Sequence, residues 1–379
     1  MPLGTNTALE GLAPSEIRRF SALARKVPGC VDLTLGEPAE CTAGPVCDQV
    51  ARSLDAGQTH YPPNRGREGL REAICAHMAS GGLSFLPEQV VVTNGATEAL
   101  FSALFALLEP GDELIVPTPA FLLYGAVATL CRARVVALDT APDSFQIDPQ
   151  RLMALVGPRT KAIVVTSPNN PTGAVLDARS LDAVATAAGR GLYVICDDVY
   201  DQLVYADGVQ GFALRHPELS DRTVVVNSMS KPYAMTGWRL GWLAGPRELV
   251  DRIAMVHQYA VSSVVSFTQD AAALALSTDV APMRAAYRAR RDLVLERLDG
   301  MGLPVVRPEG AFYAFPRIEE LGLGSRDFCV RAAREAGVAL VPGAAFGAEG
   351  HVRLSYACAD DALVCGLDRL GDFVGALRP

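Results

Sequence analysis

A series of short apolar runs, each closed by small or polar residues, constrains this chain more than any other feature in it. The runs are Gln89–Thr93, Glu113–Val116, Lys161–Thr166, Leu192–Cys196 and Thr223–Asn227. Runs this short and this rich in valine and isoleucine read as strands buried on both faces. Between them lie stretches of helical pattern, such as Leu100, Phe101, Leu104, Phe105 and Leu108. Strands alternating with helices predict an α/β fold with a largely parallel sheet. In open sheets of that kind, ligands bind just past the carboxyl ends of the strands. Gly95, Asn170, Asp197, Tyr200, Ser228 and Lys231 all fall at such points.

Each of these points has its own chemistry. Asn94-Gly95-Ala96-Thr97 stands between a strand and a helix, where free backbone N–H groups point at an anion, although a plain connection has the same pattern. Ser167-Pro168-Asn169-Asn170-Pro171-Thr172-Gly173 is a stiff polar turn. Asp197 ends a buried run, and a carboxylate there is costly unless something pairs with it. Lys231 follows two hydroxyls, Ser228 and Ser230, and precedes Trp238-Arg239. Hydroxyls and guanidinium groups both hold phosphate. A lysine beside a phosphate site suggests a Schiff base to a phosphorylated aldehyde, the way pyridoxal phosphate is held.

The flanks read differently. Ser15 to Arg25 is a short amphipathic helix capped by Ser15. Val31–Leu35 alternates like a strand and ends at Gly36-Glu37-Pro38, where the glycine can let a ligand approach the backbone, although an ordinary turn has the same pattern. Tyr61-Pro62-Pro63-Asn64-Arg65-Gly66 is an extended loop from which Tyr61 projects. Pro246–Ser277 reads as one long helix and Ala281–Leu298 as a solvated one. Ala311–Phe315, Val338–Val341 and His351–Tyr356 read as short strands. The expected organisation is an N-terminal segment, 1–45, joining a small α+β domain, 281–379, beside a large sheet domain, 46–280. Arg353 lies among apolar neighbours; it needs an anionic partner if buried, and exposure on an edge strand is the other reading.

Composition narrows the function. The chain has 379 residues and a formal net charge of −8, so nucleic acid is not an expected partner. No apolar run is long enough to span a bilayer. Met1–Gly11 lacks the pattern of a signal peptide, and a cytoplasmic location is expected. The nine cysteines include no Cys-x-x-Cys pair and the histidines are scattered, so no metal site is expected.

Taken together, Leu35-Gly36-Glu37-Pro38, Tyr61-Pro62-Pro63, Thr93 to Thr97, Ser167 to Gly173, Asp197 to Tyr200, Ser230 to Arg239, Pro308-Glu309-Gly310-Ala311-Phe312-Tyr313 and His351 to Ala357 resemble the fold-type I, class I/II aminotransferases over nearly the whole chain. The resemblance implies a pyridoxal phosphate enzyme that moves an amino group between an L-amino acid and a 2-oxo acid by ping-pong kinetics. It implies that Lys231 is the Schiff-base lysine and proton carrier, and that Asp197 pairs with the ring nitrogen. Asn170 and Tyr200 would bond the ring oxygen, and Phe121, on the helix expected after Pro119, would stack on the ring. Ala96, Thr97, Ser228, Ser230 and Arg239 would hold the phosphate. Arg353, with Gly36 and Asn170, would take the substrate carboxylate. Tyr61 would reach into a second subunit, which implies a homodimer.

Ile17-Arg18-Arg19-Phe20, Arg239-Leu240-Gly241 and Val256-His257-Gln258-Tyr259 look most like the branch containing N-acetyl-L,L-diaminopimelate aminotransferases of lysine synthesis. An aromatic or broad-range transaminase and a β-lyase on the same scaffold stand as alternatives. The chain departs from the family pattern after Pro38, where Ala39-Glu40-Cys41-Thr42-Ala43-Gly44 borders the expected position of the substrate side chain.

Overall fold

The computed structural model describes residues 4–378. Its strands, in chain order, are β1 (Val31–Asp32), β2 (Val90–Thr93), β3 (Glu113–Thr118), β4 (Arg134–Asp139), β5 (Thr160–Thr166), β6 (Tyr193–Asp197), β7 (Thr223–Ser228), β8 (Gly241–Ala244), β9 (Tyr313–Ala314), β10 (Val338–Ala339), β11 (Val341–Pro342) and β12 (Val352–Ser355). The main sheet runs β2-β8-β7-β6-β5-β3-β4. All its pairings are parallel except those of β8, which is antiparallel to both β2 and β7.

Helices cover both faces, which is why the central strands are apolar on both sides. Ile163, Val165 and Val194 pack with Leu181 and Val184 on one face. Val164, Ile195 and Val226 pack with Leu100, Leu104 and Val250 on the other. A further core joins Phe328, Leu354, Leu363 and Leu367 beneath the antiparallel sheet β11-β12-β9. The N-terminal segment reaches this part of the chain through β1, which pairs in parallel with β10. The helix before it, Glu16–Ala24, starts where Ser15 Oγ accepts the Arg18 N–H at 3.5 Å.

Several local expectations are corrected. β4 is an edge strand with partly exposed residues on both faces, so it lacks the buried-run signature. β8 follows Arg239, which holds a left-handed backbone at φ 56°, and its short run does not stand out from the loop before it. Phe121 is not helical; the helix begins at Leu123. The long helix expected over 246–277 is broken. It spans Arg247–Val261, and the chain then turns at Ser262, where φ is 66°. The break is held from outside. Asn64 Nδ2 donates to the Ser262 carbonyl and the Ser266 hydroxyl to the Gln58 carbonyl, each at 2.5 Å. Helix resumes at Gln269–Ala275. The strands expected over 31–35, 311–315 and 338–341 are shorter, and the last is split into β10 and β11.

Candidate active site

A cleft of about 700 Å³ opens at the carboxyl ends of β5, β6 and β7. Lys231, Asp197, Tyr200, Ala96, Thr97, Phe121, Asn170, Ser228, Ser230, Arg239, Gly36 and Arg353 all line it. Tyr61 does not. It projects into solvent, 91% exposed.

One end of the cleft is built for an anion. The helix Gly95–Leu107 begins there, and the Asn94 side chain does not cap it. The amides of its first turn therefore have no intrahelical acceptor and no capping side chain. A dipole favouring negative charge points the same way. The Arg239 guanidinium lies so close that a Cβ on Gly95 would meet it at 2.7 Å, and the φ of 72° at Gly95 also favours glycine. Ser228 Oγ and Ser230 Oγ are 2.8 Å apart and both buried.

The other elements converge from β6 and the turns beside it. Asp197 is buried at the end of β6. Its Oδ2 accepts the Tyr124 hydroxyl at 2.5 Å, and its Oδ1 has no partner. Burial pushes the carboxyl up to about 6, opposed by Tyr124, by the nearby Val199 N–H and by the charge of Lys231. A buried, unpaired carboxylate oxygen is the atom that a protonated ring nitrogen would satisfy. The Lys231 ammonium donates to the Gly36 carbonyl at 2.6 Å. Burial brings it down to about 8, with Arg353 and Arg239 acting in the same direction and Glu37 against them. Tyr200 shares a hydroxyl contact of 2.9 Å with Tyr313, and burial drives its pKa far up.

Arg353 settles the choice between burial and edge exposure: it is 1% exposed, on the central strand of its sheet. No carboxylate meets it among the described residues. Its NH1 donates to Asn170 Oδ1 at 2.7 Å and its NH2 to the Thr34 carbonyl at 2.5 Å, while Nε has no partner. The rings of Tyr313 and Phe346 lie 4.5 and 4.9 Å from the guanidinium carbon. These contacts hold the cation flat without neutralising it. A buried guanidinium with a spare donor is matched to an incoming carboxylate.

Sequence reasoning assigned no role to Tyr124, Tyr313, Thr34, Glu98 or His257. Tyr124 and Tyr313 lie in segments that were singled out, but what their hydroxyls bond depends on contacts far along the chain. Gly36 owes its identity to one of them: a Cβ there would sit 1.8 Å from the Tyr313 hydroxyl.

An anion pocket at a helix start, a lysine and an unpaired carboxylate on a doubly covered α/β sheet define a pyridoxal phosphate enzyme of fold type I. The sequence profile of the family described as aminotransferase class I and II matches residues 28–367. The chain belongs to that family. It is 38% identical to an aromatic-amino-acid aminotransferase 2 from Thermococcus litoralis, over 96% of each chain. It is 39% identical to a probable N-acetyl-LL-diaminopimelate aminotransferase from Bacillus subtilis, over 95% of this chain and 93% of that one. It superposes on the aspartate aminotransferase of Thermus thermophilus with maleate at a TM-score of 0.93, with 37% identity, over 98% of this chain and all of the other. No described helix is long and apolar enough to cross a membrane.

Proposed function

We propose that this aminotransferase takes N-acetyl-L,L-diaminopimelate as amino donor and 2-oxoglutarate as acceptor, in a ping-pong cycle. The observation that carries a 2-amino or 2-oxo acid at this site is Arg353, buried with an unpaired Nε beside Asn170. The longer donor is supported by other residues of the cleft. Ile17 and Leu35 line it, as do Arg18 and Arg25, both exposed and without an ion pair among the described residues. Apolar lining with unpaired cations suits a long side chain with a distal carboxylate.

Bound pyridoxal phosphate supplies an aldehyde for the amino group and a protonated ring that accepts the electron pair left by the α-proton. Ala96, Thr97, Ser228, Ser230 and Arg239 hold its phosphate, Asp197 keeps its ring nitrogen protonated, and Phe121 covers a face. Asn170 and Tyr200 bond its ring oxygen. Lys231 would anchor the cofactor, and its Nζ would take the proton from the substrate α-carbon. An amine drawn down to about 8 holds a useful neutral fraction near neutral pH. Arg353 fixes the α-carboxylate with the Gly36 backbone, which turns the α-proton toward Lys231. Tyr61, exposed in the single chain, completes the phosphate site of a second copy in a twofold dimer. Residues 46–280 form the cofactor-binding domain, and 1–45 with 281–379 the smaller one.

A donor screen against 2-oxoglutarate, read as glutamate formed, tests the reading. N-acetyl-L,L-diaminopimelate should give the highest kcat/KM. A higher value for phenylalanine or tyrosine would replace it with an aromatic transaminase, and no glutamate from any donor would put a lyase in its place.

A further inference from the structure

His257 is wholly buried on the helix Arg247–Val261, and no step above uses it. Its Nδ1 lies 3.2 Å from each carboxylate oxygen of Glu98, and its Nε2 lies 2.8 Å from the Asn64 carbonyl. Both ring nitrogens thus face acceptors only. A neutral imidazole can donate from one nitrogen, so satisfying both requires the imidazolium.

Glu98 is itself committed. Its Oε2 accepts the Asn94 N–H at 3.0 Å and its Oε1 the Ser102 hydroxyl at 2.7 Å. It therefore fastens the turn whose next amides are open to an anion. Yet it brings a negative charge to the same helix turn, where a phosphate dianion would be repelled. Asn64, on the far side of the ring, belongs to the loop that carries Tyr61, and its side chain holds the Ser262 turn.

We propose that His257 is a positioning residue for the cofactor phosphate: a fixed imidazolium that cancels the Glu98 charge beneath the anion-binding turn and ties that turn to the Tyr61 loop. Burial works against a charged ring here, but the Glu98 carboxylate and the Asn64 carbonyl outweigh it and hold the pKa above the ordinary imidazole value. The same three residues explain why a glutamate is tolerated one turn from a phosphate. The proposal rests on the reading that residues 96–97 and Arg239 hold that phosphate.

The test is the rate at which purified holoenzyme loses its cofactor chromophore during dialysis, compared among four variants, with melting temperature recorded for each. His257→Leu leaves Glu98 charged and unpaired, and should lose cofactor about tenfold faster or more, an effect near 1.4 kcal/mol. Glu98→Gln removes the charge but sets an amide NH2 against the Asn94 N–H or the Ser102 hydroxyl, so it loosens the turn by itself and serves as the background for the double variant. In that background the ring has no charge to cancel, and adding His257→Leu should cost little further cofactor. Arg239→Gln is the reference that should release cofactor quickly. Wild-type retention in His257→Leu, or a His257→Leu effect as large in the Glu98→Gln background as alone, would each overturn the role of His257, provided Arg239→Gln releases as expected. Normal retention in Arg239→Gln would instead overturn the phosphate site on which it rests.

Discussion

Tyr124 donates its hydroxyl to Asp197 Oδ2 at 2.5 Å and leaves the buried Oδ1 as the open side of that carboxylate. The tyrosine also lies 2.9 Å from Thr166 Oγ1, so it is held from both β5 and β6. One oxygen is pinned so that the other points into the cleft.

Tyr124→Phe should therefore weaken the enzyme without emptying it. A lost hydrogen bond to a charged, buried acceptor costs about 1.5–3 kcal/mol, which is at least about tenfold in kcat/KM. With the donor gone, the Asp197 pKa should rise further, so the acid limb of the pH–rate profile should move to higher pH. An unshifted limb would mean that Tyr124 only fills space.

The raised pKa of Asp197 has a direction of its own. Its value in the folded chain, about 6, is above the ordinary carboxyl value, so the apoprotein keeps the proton up to about pH 6. A neutral carboxyl cannot pair with a protonated ring nitrogen. Cofactor affinity of the apoprotein should fall as pH drops through 6. The cofactor phosphate ionises near the same pH. Asp197→Asn separates the two: whatever pH dependence survives belongs to the phosphate, and an unchanged profile would remove Asp197 from the effect.

Lys231→Ala should fold, because the side chain contributes only one hydrogen bond, to the Gly36 carbonyl. It should lose the absorbance of covalently held cofactor and on the order of a thousandfold in turnover, the scale of a general base. Added methylamine can replace the missing amine and should restore part of the rate. Turnover near wild type would mean that another group carries the proton.

The main sheet was legible in the sequence because its inner strands are short, apolar and buried on both faces. The rim residues were legible for a related reason: polar groups such as Asp197 and Lys231 stand out when they end an apolar run. β4 hid because an edge strand need not be apolar, and β8 because its few residues continue a loop. The break at Ser262 depends on Asn64 and Ser266, whose partners are far away in the chain. The same distance hid Tyr313 behind Gly36 and Glu98 behind His257. Local pattern reports which residues reach the cleft; it does not report which of them bond to each other.

Arg353→Lys tests the carboxylate site by shape rather than charge. A lysine keeps the cation but cannot donate to Asn170, Thr34 and a substrate carboxylate in one plane. KM for both the amino acid and the 2-oxo acid should rise, with kcat/KM falling on the order of 10- to 100-fold. Cofactor retention should change far less than KM, since the arginine reaches the cofactor only through Asn170. A normal KM for both substrates would put the carboxylate elsewhere in the cleft.

Gly36→Ala probes the contact between the two halves of the cleft. The added methyl would lie 1.8 Å from the Tyr313 hydroxyl and 2.8 Å from its ring carbon. Something must move, and overpacking of this kind costs about 1–3 kcal/mol. Tyr313 cannot retreat freely, because its hydroxyl meets Tyr200 at 2.9 Å and its ring lies against Arg353. The damage should therefore reach the chemistry as well as the stability. kcat should drop, and the melting temperature should fall with it. Removing the hydroxyl in Gly36→Ala with Tyr313→Phe takes away the worst contact but leaves the ring, so stability should return in part. Because Tyr200 then loses its partner, kcat should recover less than stability does. Equal recovery of both would mean that the hydroxyl pair fills space and does not tune Tyr200.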